Sequence, residues 1–224
     1  MKRSSIILIC VFVPFLMFGE TFSFRGDSMK TVLAKGKEET ILSGNVEITT
    51  EDNHITADRV ELYGKNFVYA RFAGHVVVVN AKKGIRLVCN NLFYDRERKV
   101  LRVNGYAEME DKKNEVVVKG GFLEDWEDKE VTIIQIGVRI LKKDMVCRSE
   151  FAKYLRKEKK LELSGMPVVY WKGDEYRAVK IYIDLDKNEI TLEGEIKGTL
   201  TGEKTTEEKE KEKTNNKGQQ KANE

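Results

Sequence analysis

The sequence is poor in the residues that build catalytic and metal sites. Among its 224 residues are two histidines, three cysteines and two prolines. The histidines, His54 and His75, stand apart, and no CxxC, HExxH, GxSxG or phosphate-binding glycine loop occurs. We therefore predict no metal site, no cofactor and no enzymatic activity. Basic and acidic residues nearly balance, 40 against 37, and are interleaved, which disfavours nucleic-acid binding.

The two ends of the chain differ from its middle. Met1-Lys2-Arg3 precedes an apolar run from Ile6 to Phe18, and this layout predicts a cleaved signal peptide over residues 1–23. An uncleaved membrane anchor is the alternative, although Glu20 cuts the run below the about 20 residues of a spanning helix. Residues 202–224 are rich in Lys and Glu without large apolar residues, which predicts a disordered tail. Residues 24–201 are predicted to form one domain.

The middle of the chain is repetitive. An apolar-x-Gly element occurs six times, at intervals of 28 to 32 residues, centred on Gly44, Gly74, Gly105, Gly137, Gly165 and Gly194. A second apolar element begins 18 to 20 residues before each glycine from the second onward, as in Ile55 to Tyr63 before Gly74. Each unit therefore predicts two short strands joined by a polar turn.

Apolar residues alternate along these strands, and the glycines share their parity. Leu42, Val46 and Ile48 alternate with polar residues, which predicts that Gly44 faces inward with them. Inward glycines would widen the interior or mark a bend. The fourth unit breaks the phase around Gly137, which predicts a β-bulge there. Cys89 and Cys147 are interpreted as small buried residues, with a disulfide as the alternative.

A unit of two short strands is too small to form a hydrophobic core alone, so the units are expected to stack and share one. The predicted fold is all-β: an elongated open β-jelly-roll, in which a sheet of stacked antiparallel two-strand repeats is folded over an apolar lumen. Nothing in such a sheet closes its first and last strands, and unpaired edges invite the addition of another strand.

The repeats resemble those of the OstA-like family. The residues that carry the resemblance are Leu42-Ser-Gly-Asn-Val46, Ile55-Thr-Ala-Asp58 and Leu163-Ser-Gly165. The family comprises the periplasmic lipopolysaccharide-transport proteins of the LptA and LptC type and the N-terminal domain of LptD. The resemblance implies a jelly-roll whose groove carries acyl chains of lipopolysaccharide or another glycolipid from the inner to the outer membrane. It also implies a periplasmic location, head-to-tail self-association, and LptC-like and LptD-like partners joined by edge-strand addition.

The candidate groove residues are the inward apolar positions of the first units. They are Val46, Ile48, Ile55, Val60, Leu62, Phe72, Val76, Val78, Leu87, Leu92, Leu101, Val103 and Met109. Burial of acyl methylenes against such residues is favourable. Lys82, Lys83, Arg86 and Arg96, near strand ends, could meet headgroup phosphates.

Three other readings remain open. The same fold could be an envelope scaffold with a dry core that uses only its edges. It could be an inner-membrane-anchored, LptC-like component. An enzyme would have to rely on the turn acids Asp125 and Asp128 or Asp184 and Asp186, which are far more typical of solvated turns.

Overall fold

The computed structural model describes residues 23–34 and 36–201, which form sixteen β-strands in one antiparallel sheet and one short 3-10 turn, Lys65–Phe67. The all-β prediction is confirmed. The predicted tail and leader lie outside the described residues, except for Ser23, which begins the first strand. Within the described part of the chain, no helix has the length and apolarity needed to cross a membrane.

Eight strands are long and continuous. They are β3 (Glu39–Thr49), β4 (Asn53–Tyr63), β5 (Tyr69–Asn80), β6 (Ile85–Asp95), β7 (Val100–Asp111), β8 (Val116–Trp126), β9 (Val131–Lys142) and β10 (Met145–Leu155). The short strands are β1 (Ser23–Arg25), β2 (Ser28–Val32), β11 (Lys160–Ser164), β12 (Val168–Trp171), β13 (Asp174–Arg177), β14 (Lys180–Asp184), β15 (Glu189–Glu193) and β16 (Lys197–Thr199).

The short strands are halves of four longer ones. β1 and β2 pair with successive parts of β3, and β11 and β12 pair with successive parts of β10. In the same way β13–β14 pairs with β16–β15. The sheet is therefore an up-and-down meander of twelve strands, eight continuous and four interrupted near the middle.

Each of the eight long strands contributes to two packed layers. In β3, Leu42 lies before the middle of the strand and Val46 and Ile48 lie after it, and all three are buried. Buried residues from both halves of the long strands belong to a single hydrophobic core. A sheet folded across its strands explains this, because its two halves then face each other. The predicted folded-over jelly-roll is confirmed.

The fold runs along a line of β-bulges, which we call the bend line. At β3 the residues Gly44 and Asn45 together oppose the single residue Asp58 of β4, and both have positive φ, 76° and 46°. The register shifts at the same level in every pairing from β3–β4 to β9–β10. The bulge predicted for the fourth unit is present, but it is a feature of each long-strand pairing rather than a local irregularity.

The prediction that the repeat glycines face inward is wrong. A Cβ atom at Gly74 would collide with the exposed carboxylate of Asp58, and one at Gly44 would collide with that of Asp27, so these positions point outward. The six glycines of the repeat have positive φ and are half-buried or exposed; they are Gly44, Gly74, Gly105, Gly137, Gly165 and Gly194. Their role is to bend the strand, which needs left-handed backbone that glycine adopts at low cost.

Small residues line the inside of the bend. Cys89, Ala107 and Gly120 are buried at adjacent registers, and Ala57 is buried two strands from Cys89; bulkier side chains there would hold the layers apart. Cys89 is thus a small buried residue, as predicted. Cys89 and Cys147 are both free thiols.

The turns that connect the strands form two rows, on the side of the sheet opposite the bend line. The first turn row contains residues 50–52, 81–84, 112–115, 143–144 and 172–173, and the second contains residues 64–68, 96–99, 127–130, 156–159 and 185–188. The second row is stitched together by backbone hydrogen bonds: the amides of Arg96, Glu127, Arg156 and Leu185 donate to carbonyls of the preceding turn over 2.9–3.1 Å. We call the line along which the two rows face each other the seam.

Candidate functional site

An opening between the layers lies at the seam, near the N-terminal edge of the sheet. It is a cavity of about 510 Å³ between the first strands. Its apolar lining consists of Ile48, Ile55, Leu62, Ala70, Phe72 and Tyr94. Exposed residues of both turn rows, Glu51, Lys99 and Asp128, complete the lining, so the cavity opens to solvent.

The mouth of this cavity is charged and its floor is apolar. Lys83 of the first turn row and Arg96 of the second lie on the lining. The Arg96 guanidinium donates a hydrogen bond of 3.2 Å to the carbonyl of Phe67, which fixes its position at the rim. Such an arrangement suits an amphipathic molecule whose apolar part enters between the layers.

The structure divides the thirteen predicted groove residues into three groups. Ile48, Ile55, Leu62 and Phe72 line this cavity. Val78, Leu87, Leu101 and Met109 line a smaller cavity of about 40 Å³ deeper along the seam. Val46, Val60, Val76, Leu92 and Val103 line neither cavity and belong to the packed core.

The two cavities meet at a contact across the seam. Lys83 Nζ lies 3.8 Å from a carboxylate oxygen of Glu127, so the two turn rows are joined by an ion pair. Both residues line both cavities. Burial raises the pKa of Glu127 above its ordinary value, and the charge of Lys83 opposes this shift only in part.

Further along the chain the seam is closed by buried polar contacts. The hydroxyl of Tyr154 in β10 donates to Oδ2 of Asp111 in β7 across 3.0 Å. Arg156 donates to Asp125 and to Thr132, and its side chain is only 6% exposed. The core beyond them contains the fully buried side chains of Tyr154, Leu161 and Ile181. Apart from Arg156, the residues that line the two cavities lie between residues 48 and 128.

The acids considered for catalysis hold turns and ion pairs. Asp125 binds Arg156 and accepts a hydrogen bond from Thr132. The backbone amide of Lys187 donates to Asp184 and lowers the pKa of that carboxyl. Asp186 lies 2.8 Å from Lys159. Among residues 23–34 and 36–201, no three His, Cys, Asp or Glu side chains converge on a possible metal position.

The predicted headgroup cations are separated by the fold. Lys83 and Arg96 reach the cavity, whereas Lys82 pairs with Asp52 at 3.3 Å and Arg86 lies outside the lining. Sequence reasoning missed Lys99, Glu127 and the Asp111–Tyr154 contact. No local pattern marks these residues, because their partners come from other units.

Comparison with known proteins finds a matching family and similar solved structures. Residues 27–189 match the family described as LptA/(LptD N-terminal domain) LPS transport protein. The crystal structure of LptH, the LptA homologous periplasmic component of the conserved lipopolysaccharide transport device from Pseudomonas aeruginosa, is similar at 13% identity and a TM-score of 0.25, covering 82% of this chain and 96% of that one. No curated protein matches the chain. Since the family match spans most of the sequence, the chain belongs to the LptA/LptD N-terminal domain family of lipopolysaccharide-transport proteins.

Proposed function

We propose that this protein is a periplasmic bridge component that carries lipopolysaccharide or a related glycolipid from the inner to the outer membrane. Family membership supports the transport role. The leader predicted over residues 1–23 supports the location. The observation that carries the proposal is the cavity of about 510 Å³ with an apolar floor and a charged, solvent-facing mouth.

The cavity suits acyl chains. Its volume lies within the roughly 300–1,000 Å³ of small-molecule sites. Each methylene that leaves water for this lining contributes roughly 0.8 kcal/mol. Lys83, Arg96 and Lys99 at the mouth would meet an anionic headgroup, while Glu51, Asp52 and Asp128 keep the rim from being strongly cationic. The lipid would thus be bound mainly by its chains.

Strand edges supply the proposed contacts with partners. The first bent strand, β1–β2, is exposed along its length, and Met29 on it is 53% exposed. The last, β15–β16, carries between its two halves Ile196, which is 60% exposed. Because the meander has an even number of strands, the first strand of one copy would continue the antiparallel order beside the last strand of another. Head-to-tail self-association and joining to LptC-like and LptD-like proteins would use these edges.

The cavity is tested by filling it. Ile55→Trp adds volume to a half-buried wall residue of the cavity, and Ile190→Trp adds the same volume to a half-buried residue at the other end of the core. Both variants should fold. Only Ile55→Trp should reduce binding of a fluorescent fatty acid and of lipopolysaccharide, by at least tenfold. Equal binding by the wild type and both variants would contradict lipid binding in this cavity.

The edges are tested with proline at neighbouring positions, Met29→Pro and Lys30→Pro. Adjacent residues of an edge strand direct their N–H groups to opposite sides, so one of the two prolines spares the internal ladder. That variant should keep its Tm and lose self-association in sedimentation experiments. Retained assembly in both variants would contradict edge pairing through β1–β2.

An envelope scaffold without lipid is the second candidate. The fully buried side chains of Tyr154, Leu161 and Ile181 favour it, since they occupy the space between the layers in the C-terminal half. Native mass spectrometry after purification from the envelope separates the two functions. A stoichiometric glycolipid supports transport, and a lipid-free protein that still assembles supports the scaffold.

A further inference from the structure

The outer face of the sheet carries a row of aromatic side chains beside the second turn row. Tyr63, Tyr69, Phe93 and Trp126, which we call the aromatic patch, occupy strands between β4 and β8 and are half-buried. Their inward neighbours Leu62, Ala70 and Leu92 are buried, so the patch faces away from the core. The hydrophobic core therefore does not explain this concentration of rings.

Three of the four rings lie side by side, and Trp126 stands across a concavity from them. The centroids of Tyr63 and Tyr69 are 5.4 Å apart, and those of Tyr69 and Phe93 are 5.8 Å apart with an interplanar angle of 28°. Trp126 lies three strands from Tyr69 at the same register level, because Tyr69 pairs with Asp95, Asp95 pairs with Val100, and Val100 pairs with Trp126. A concavity of about 740 Å³ lies between Tyr69, Phe93 and Trp126.

Fixed polar groups surround the rings. Arg102 forms an ion pair with Glu124, and Trp126 Nε1 donates to the other oxygen of that carboxylate over 2.7 Å. Although burial opposes it, hydrogen bonding from Arg102 and Trp126 keeps the pKa of Glu124 below its ordinary value. The concavity holds three cations, Arg98, Arg102 and Lys129, against three carboxylates, Asp95, Glu124 and Asp128. This balance argues against selection of an anion.

The patch is continuous with the mouth of the cavity. Asp128 lines both the cavity between the layers and the outer concavity. Lys99, also at the cavity mouth, pairs with Asp128 at 3.2 Å. A molecule whose chains lie inside and whose headgroup leaves over residues 96–99 and 127–130 would reach the aromatic patch directly.

We propose that the aromatic patch is a saccharide-binding subsite for the sugar headgroup of the glycolipid whose acyl chains occupy the cavity; this rests on the proposed function. Sugar rings present C–H groups on their faces, which pack on aromatic rings, and hydroxyls at their edges. Arg102, Glu124 and Asp95 supply donors and acceptors for those hydroxyls in fixed positions. The balanced charge makes the subsite suited to hydroxyl-rich rather than phosphate groups.

The test separates sugar binding from chain binding. The full chain is titrated with fully deacylated lipopolysaccharide oligosaccharide and, separately, with a fluorescent fatty acid. Phe93→Ala and Trp126→Ala should each weaken oligosaccharide binding at least fivefold and leave fatty-acid binding unchanged. Tyr182→Ala, on the outer face of β14 away from the patch, serves as the matched control and should change neither. Ile55→Trp should weaken fatty-acid binding and leave oligosaccharide binding unchanged.

The salt dependence gives a second readout. Binding through rings and hydroxyls should persist at about 0.5 M salt, where interactions between exposed charges are largely screened. Oligosaccharide affinity that is equal in wild type and patch variants, or that disappears in salt, would overturn the subsite. Those results would not contradict lipid binding in the cavity. The proposed function is tested separately, by fatty-acid binding to the wild type and to Ile55→Trp.

Discussion

The hydroxyl of Tyr154 donates a hydrogen bond to Oδ2 of Asp111 over 3.0 Å, across the seam and between residues 43 positions apart. Asp111 is 2% exposed and Tyr154 is fully buried. Burial, together with the negative charge of Asp111, raises the pKa of the Tyr154 hydroxyl, so it remains a donor across the ordinary pH range. The contact therefore ties the two layers together within the buried core.

Tyr154→Phe should lower the free energy of unfolding by about 1.5–3 kcal/mol, because it removes a donor from a buried carboxylate. Urea denaturation measures the change. Tyr182→Phe is the matched control, since that hydroxyl donates to Glu193 at an exposed site, and a change within about 0.5 kcal/mol is expected. Equal losses in both variants would contradict a role for the seam contact.

Gly74→Ala should destabilise the fold by about 2 kcal/mol or more. The residue has a φ of 76°, where a side chain costs about 1–2 kcal/mol, and its Cβ would also meet Asp58. Gly137→Ala separates these effects, since its φ of 63° is also left-handed and a Cβ there meets nothing within 4 Å, so that only the backbone strain remains. Thermal unfolding compares them, and a larger loss at Gly137 would be inconsistent with the collision.

Ile136→Asn should stabilise the protein by about 1 kcal/mol. Ile136 has a φ of 67° on the bend line and is 63% exposed, so a β-branched residue bears left-handed strain there without much burial in return. Ile136→Val keeps the branching and should bring no gain. Chemical denaturation of the two variants gives the answer, and a loss on Ile136→Asn would show that the Ile136 contacts outweigh the strain.

Glu127→Gln should stabilise the protein at neutral pH and have no effect below about pH 4. The folded-state pKa of Glu127 is raised above its ordinary value of 4.5, chiefly by burial. The folded chain therefore binds the proton more tightly than the unfolded chain, and this stability is lost as the pH rises through the folded pKa. Unfolding in urea from pH 4 to 8 measures the difference.

The Lys83 ion pair offsets part of that gain, so the sign of the Glu127→Gln effect reports which influence dominates at the seam. Glu97→Gln, in an exposed turn of the same row, is the control for the loss of one negative charge. A Glu127→Gln variant that is less stable at neutral pH would mean that the ion pair contributes more than burial costs.

Cys89 and Cys147 should resist alkylation in the folded protein. Burial raises the pKa of each thiol to about 12, and the thiolate is the reactive form. Peptide mapping after maleimide treatment should find both modified only in denaturant, whereas a cysteine introduced by Leu33→Cys, 73% exposed in the native chain, reacts at once. Rapid labelling of Cys89 in the folded state would indicate that the bend region opens.

Much of the fold follows from local pattern. The spacing of the glycines gave the hairpin unit, and polar runs such as residues 95–98 gave the turns, because both depend on residues close together in sequence. The side on which the glycines lie could not be read from parity. In β3 the inward residues Leu42 and Val46 are an even number of positions apart, which hides the two-residue bulge between them.

The candidate site was predicted less completely. Inward apolar positions such as Ile55 and Phe72 follow from alternation, but alternation also assigned Val76 and Val103, which are fully buried and do not line the cavity. What separates a cavity wall from core is the distance between the layers. That distance depends on contacts such as Lys83–Glu127, whose partners lie more than one unit apart.

The twelve-strand meander restricts how such a protein can change in length. Residue 23 and residue 199 both lie toward the first turn row, since they pair with Thr49 and Glu175 at that end of their strands. Gain or loss of one strand would send the last strand the opposite way and turn any copy joined there upside down. Only the gain or loss of a whole hairpin preserves the direction of the last strand. Family members of different length should therefore differ in steps close to the 28 to 32 residues that separate the glycines.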